Sequence, residues 1–113
     1  MEAIPRLTPA EWRLIKSILP AGKPTRRRHD DRAVVDALFY CEAARCSLEG
    51  APQDYGIGSR TLRTRQSRWR ADGTWPRLLA TGQPAIARMR REINYGQEDL
   101  LAEGARVFGW DQL

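Results

Sequence analysis

The stretch SRTLRTRQSRWRADGTW, residues 59–75, carries Arg60, Arg63, Arg65, Arg68 and Arg70 against one acid, Asp72. Ser59 can cap a helix start by accepting a backbone N–H, and Gly73 suits the left-handed residue that ends a helix. At 100° per residue, Leu62, Gln66 and Trp69 share one side of this helix, with Arg65 at its edge. Arg60, Arg63, Thr64, Ser67, Arg68 and Ala71 share the other. The helix therefore buries a narrow stripe and presents guanidiniums, short hydroxyls and one small residue. Those are the groups a helix needs in a DNA major groove, because Arg reads guanine edges bidentately and small residues permit close approach. The alternative is an ordinary solvated helix. Such helices usually mix charge signs into i,i+4 pairs, and this one does not.

Working outward, the segment before the basic helix supplies a turn. Ser47 can cap one short helical turn over 48–51, and Pro52-Gln53-Asp54-Tyr55-Gly56 is turn chemistry with Tyr55 packing inward. A short helix, a glycine-bearing turn and a basic helix predict a helix-turn-helix. Upstream, Thr8-Pro9-Ala10-Glu11 is a capping box with proline at the first helical position. It opens a helix to about Leu19 with Trp12, Ile15 and Leu19 inward. Asp30 is placed to cap the central core helix, 31–45, whose apolar positions are Val34, Val35, Leu38, Phe39, Cys41 and Ala44. Downstream, Thr74 opens a helix with Leu78 and Leu79 inward, and Gly82-Gln83-Pro84 interrupts it. A further helix over 84–94 has Ile86, Met89 and Ile93 on one side. Asn94-Tyr95-Gly96 ends that helix, and a last one covers 97–108. No stretch alternates at period two, so the expected fold is a small all-α domain of about five to six helices, homeodomain-like in its helix-turn-helix.

At 113 residues the chain can bury a core, and 42% hydrophobic with 29% charged residues is ordinary for a folded protein. A net charge of +5 and a pI near 9.9 favour a polyanionic partner. The charge is uneven: 60–91 holds nine Arg and one acid, while 92–113 holds five acids and one Arg. No run nears the roughly 18 apolar residues of a membrane span, and the N-terminus lacks a signal-peptide core. The expected location is cytoplasmic, at the nucleoid. The basic linker, 21–29, offers Lys23, Arg26, Arg27 and Arg28 either as phosphate contacts or as a merely exposed loop. His29 is the only histidine, so no metal site and no nucleophile–base pair is expected. Cys41 and Cys46 are expected to be buried thiols, their spacing a poor one for a disulfide.

These residues resemble a known family. Leu7-Thr8 with Trp12 and Leu19-Pro20 is similar to the opening of the N-terminal DNA-binding domain of bacterial insertion-sequence (DDE-type) transposases. Asp30-Asp31-Arg32, Asp36-Ala37, Phe39-Tyr40, Cys46, Pro52 and Asp54-Tyr55-Gly56 follow in the same order. The likeness closes on Arg68-Trp69, Asp72-Gly73-Thr74-Trp75 and Leu78-Leu79, covering about 7–80. It implies a helix-turn-helix that binds the element's terminal repeats. Two departures stand out: Ser47-Leu48-Glu49-Gly50 replaces Pro-Trp-Arg-Asp, and Gln66 stands where an aromatic is usual. The resemblance carries an RNase-H-like catalytic domain in the family, and none is expected after Ala80. Asp99, Glu103 and Asp111 crowd into one short stretch and are expected to be solvated acids rather than metal ligands.

The sequence therefore predicts a stand-alone, transposase-derived protein that binds double-stranded DNA sequence-specifically and regulates transcription or transposition, with no catalysis and no cofactor. Arg60, Arg63, Thr64, Ser67 and Arg68 are assigned to base edges. Lys23, Arg26, Arg27, Arg28, Arg65 and Arg70 are assigned to phosphates, and Leu62, Trp69 and Trp75 to seating the helix. The division is a DNA-binding domain over 1–82 and a helical extension over 83–113. That extension either closes the core or offers Leu100, Leu101, Phe108 and Trp110 to a second copy or a protein partner. Rival readings are a protein–protein adaptor, docking for example on the transcription machinery, and a truncated transposase fragment without function.

Overall fold

In the computed structural model the described residues are 4–20 and 31–108, the side chains of 95–108 excepted. Among them are four α-helices and two 3-10 turns, with no strand. The helices are α1 (Pro9–Lys16), α2 (Asp31–Ala44), α3 (Ser59–Ala71) and α4 (Thr74–Phe108). The turns Leu48–Gly50 and Gln53–Tyr55 lie between α2 and α3.

The capping box at α1 forms as its residues dictate. The Thr8 hydroxyl accepts the Glu11 N–H at 3.1 Å and the Glu11 carboxylate accepts the Thr8 N–H at 2.8 Å. The helix is shorter than the apolar pattern predicts and unwinds after Lys16. Trp12 and Leu19 are half-buried and Ile15 is fully buried.

α2 is the core helix. Val34, Val35, Ala37, Leu38, Phe39, Cys41 and Ala43 are all buried, so it is enclosed nearly all round. Its one buried acid, Asp36, accepts the Leu7 N–H at 2.8 Å, and Arg32 donates to the Leu7 carbonyl at 2.8 Å. The extended N-terminal segment is thus bracketed by two side chains of α2. Tyr55 closes the other edge: its hydroxyl donates to the Pro5 carbonyl, its ring meets Tyr40, and Arg6 lies over it at 5.4 Å. Burial, followed by the nearby Asp36 charge, pushes the Tyr55 hydroxyl well above its ordinary range, so it stays a donor.

The largest departure from expectation is α4. Neither Gly82-Gln83-Pro84 nor Asn94-Tyr95-Gly96 breaks it, and one helix of 35 residues replaces the three short ones expected. The expected boundary between 82 and 83 falls inside this helix. The reason is the phase of its apolar stripe. Trp75, Leu78, Gly82, Ala85, Ile86 and Met89 are buried at helical spacing straight through the proline, with Ile93 partly buried beyond. An interior proline costs about 3 kcal/mol in a lost hydrogen bond and a clash. Here Pro84 and Ala80, whose carbonyl loses its partner, both lie on the exposed side. Burying the stripe against α2, the most extensive packing in the molecule, offsets that cost.

Gly82 is the residue this packing needs. A Cβ placed there would overlap Cε2 and Cζ of Phe39, itself fully buried. Arg90 then completes α2 from α4, donating to the Ala43 and Glu42 carbonyls at 3.1 Å each. These are C-terminal carbonyls that the helix cannot satisfy itself. Arg88 ties α4 to α1, donating to both Glu11 carboxylate oxygens, to Glu92 at 2.8 Å and to the Arg6 carbonyl at 2.8 Å.

The cysteines correct a second expectation. Cys41 is buried, but Cys46 is exposed, because the chain turns out of α2 through Arg45 at φ 56°.

Two outcomes follow from this packing. Gly82→Ala gains about 1 kcal/mol of helix propensity but overpacks the Phe39 contact by about 1–3 kcal/mol. The urea midpoint should fall, and Phe39→Leu in the same chain should recover part of the loss. The second outcome concerns pH. Burial raises the Glu11 pKa, but the hydrogen bonds from Arg88 and Thr8 outweigh it, so the carboxyl sits below its ordinary 4.5. A depressed folded pKa gives stability that is present above the unfolded value and lost as pH falls through the folded one. Thermal melts of the native chain and Glu11→Gln should differ at neutral pH and converge as the pH drops below about 4.5.

Candidate nucleic-acid interface

α3 is placed by its ends as much as by its apolar residues. The residue before its first turn is Gly58, not Ser59, and no side chain caps it, so the expected Ser59 cap is one position out. At the other end Asp72 is the cap residue and Gly73 takes φ 82°. That left-handed glycine reverses the chain from α3 into α4 within two residues. The start of α4 is fixed by Asp72 rather than by Thr74: its carboxylate accepts the Thr74 N–H at 2.9 Å. Bonds from the Thr74 side chain and backbone hold the Asp72 pKa below its ordinary value.

Leu62 and Trp69 enter the common core at 0% and 3% exposure, and Trp75 at 5%. The three residues assigned to seating the helix are all buried. Gln66, between Leu62 and Trp69 on the same side, is half-buried.

The five residues assigned to base edges, Arg60, Arg63, Thr64, Ser67 and Arg68, are all exposed, as is Ala71. By helical geometry they share an arc of roughly 140° opposite Trp69. No acid of α3 lies among them. One acid approaches from outside the helix, since Arg63 donates to Glu49 of the first 3-10 turn. The backbone amide of Glu49, then Arg63, lowers the pKa of that exposed carboxyl.

The arginines assigned to phosphates divide. Arg70 is exposed. Arg65 turns the other way: its side chain is only 12% exposed, its guanidinium pairs with Asp31, and it stacks 4.9 Å from the Trp69 ring. This cation ties α3 to the N-terminus of α2. Lys23, Arg26, Arg27 and Arg28 lie outside the described residues, as do Asp30 and Trp110. The side chains of Leu100, Leu101 and Phe108 are likewise outside them.

Sequence reasoning passed over two exposed cations, Arg45 and Arg77. Arg45, exposed after α2, lines with Arg70 and Gln66 a cavity of about 390 Å³. Arg77 is exposed one turn into α4. No periodicity marks Arg45, because it follows the last helical residue. The Glu49–Arg63 pair was equally hidden, since its partners are 14 positions apart in different elements.

Among the described residues no group of three His, Cys, Asp or Glu is placed to hold a metal ion. No helix among them is long and apolar enough to cross a membrane.

No curated protein and no solved structure matches the chain. Residues 7–79 match the family described as "Putative transposase of IS4/5 family (DUF4096)". The matched span begins at the bracketed Leu7, takes in α1, α2, both turns and α3, and stops one turn into α4. It covers well over half of the chain, which therefore belongs to this transposase family.

Proposed function

We propose that the protein binds double-stranded DNA sequence-specifically, with α2, the two 3-10 turns and α3 acting as a helix-turn-helix and α3 entering the major groove. The observation that carries this reading is the outer face of α3. It sets Arg60, Arg63, Thr64, Ser67 and Arg68 on one exposed arc with small Ala71 and no acid of its own. Arginine forks match guanine O6 and N7, hydroxyls reach bases or phosphates, and the small residue lets the helix sit deep. Membership of a transposase family supports nucleic acid as the partner.

Arg70 and Arg45, which line one cavity at the edge of α3, serve as phosphate contacts, fixing register without reading sequence. Arg65 drops out of the set, because freeing it would leave Asp31 without its guanidinium and uncover Trp69. The role is binding rather than catalysis, in regulating transcription or transposition.

The test is selection of genomic fragments by the purified full chain at about physiological salt, then a salt titration of the winner. One enriched motif is the expected result. A flat selection with a steep salt slope means contact with the backbone alone, and no retention of DNA removes the reading altogether. On the selected site, Arg63→Ala and Arg68→Ala should each cost about 1–3 kcal/mol and relax preference at one base pair. Both variants should keep the native urea midpoint. Arg65→Met should do the reverse, lowering the midpoint while leaving the selected motif unchanged.

A further inference from the structure

α2 ends in a motif that brings its two thiols together. Ala44 is its last residue, Arg45 takes the left-handed φ of 56°, and the Cys46 N–H returns to the Cys41 carbonyl at 3.1 Å. This is a Schellman closure, in which the residue two beyond the helix cap bonds back to the carbonyl five positions earlier. Those two positions normally share a hydrophobic side-chain contact. Here they are both cysteines, and Cys41 Sγ donates to the Ser47 carbonyl at 3.5 Å. A disulfide needs Cα atoms about 4.4–6.8 Å apart, and a backbone hydrogen bond between the two residues themselves holds their main chains close. A spacing of five, unfavourable along a straight helix, becomes favourable once the chain wraps over its own end.

We propose that Cys46 and Cys41 form a hydroperoxide-reactive dithiol that closes to an intramolecular disulfide. The two cysteines differ as such a pair requires. Cys46 is exposed, while Cys41 is 5% exposed. Both line the cavity of about 390 Å³, which has room for a small hydroperoxide. Gly50 packs on Cys46, and a Cβ there would lie 3.2 Å from both Cβ and Sγ of Cys46, so the missing side chain leaves the sulfur uncovered. Arg45 and Arg70 line the same cavity, and their charge favours the negative charge developing on a departing oxygen.

The chemistry balances with the peroxide as the only oxidant. The Cys46 thiolate attacks one peroxide oxygen, forming S–O and breaking O–O, and the other oxygen leaves as an alcohol or water after protonation. Cys46 is then a sulfenic acid, two electrons oxidised. Cys41 Sγ attacks the Cys46 sulfur, forming S–S and breaking S–O, and its proton leaves with the hydroxyl as water. Burial, then the neighbouring Cys46, pushes the Cys41 thiol up to about 12, and Cys46, the exposed thiol of the two, is the one a hydroperoxide reaches first.

The two cysteines stand at the end of α2, and their oxidation is read without DNA, although Arg70 of α3 lines the same cavity. It is tested on the reduced full chain with equimolar hydrogen peroxide, followed by intact mass and tryptic mapping. Trypsin cleaves after Arg45, so the two cysteines fall in different peptides and the disulfide joins them. The expected result is a loss of about 2 Da, a joined peptide pair, reversal by dithiothreitol, and slower closure in urea. Cys41→Ser should instead accumulate a dimedone-trappable sulfenic acid on Cys46. Sulfinic or sulfonic products without the joined peptides overturn the proposal. So do links only between chains, or closure as fast in urea as in the native protein. These readings on the native chain decide the matter even where a variant fails to fold.

Discussion

Everything else in the fold depends on Phe39 lying against a glycine. Because position 82 has no side chain, α4 approaches α2 closely enough to bury Leu78 on one side of the contact and Ala85, Ile86 and Met89 on the other. That long apposition makes one helix of what would otherwise be several. It also fixes where α4 begins, and α3 is joined to that beginning by only Asp72 and Gly73. The direction of α3 is therefore set by α4 from one end. From its side, Leu62 and Trp69 enter the common core, and the Arg65–Asp31 pair ties it to α2. The outward face of α3 is what those constraints leave over.

How legible this was depends on the range of the interaction. The α1 capping box, the core face of α2, the burial of Leu62, Trp69 and Trp75, and the left-handed Gly73 are local or periodic features, and the residues state them directly. The continuity of α4 was in the sequence too, as an apolar stripe that keeps phase from Trp75 to Ile93. Gly82-Gln83-Pro84 masked it, because turn chemistry is a local signal and the offsetting burial is tertiary. The remaining features have no local trace. Arg65 meets an acid 34 positions away, and Arg63 one that is 14 away. Cys46 is exposed because a non-glycine residue took the left-handed conformation, which no pattern at Arg45 announces.

Composition alone would have counted every arginine toward a polyanion, and geometry sorts them. Arg32, Arg88 and Arg90 donate to main-chain carbonyls at Leu7, Arg6, Ala43 and Glu42, while Arg65 lies along Trp69. Moving any of these to a phosphate would strip a carbonyl or carboxylate of its donor, at about 1–3 kcal/mol for a buried group. Arg60, Arg68 and Arg70 are exposed on α3, where the only carboxylate of the helix end, Asp72, is already engaged by Thr74. The net charge of +5 thus understates the contrast between surfaces. Four of the arginines are engaged inside the fold, and among the described residues α3 carries four exposed ones, Arg60, Arg63, Arg68 and Arg70.

Glu49 sharpens that contrast. It stands on the first 3-10 turn, and its carboxylate accepts from Arg63. An exposed pair of this kind is worth little in stability, at most about 1 kcal/mol. Its consequence lies in orientation, since a guanidinium engaged on one edge presents its remaining donors in a restricted direction. On the reading of α3 proposed above, such an arginine would lose less rotamer freedom on contact, and the acid beside it would penalise approach to phosphate more than approach to a guanine edge. The turn and the arginine on α3 are thus one structural feature: an acid on the turn that orients a single cation of the helix.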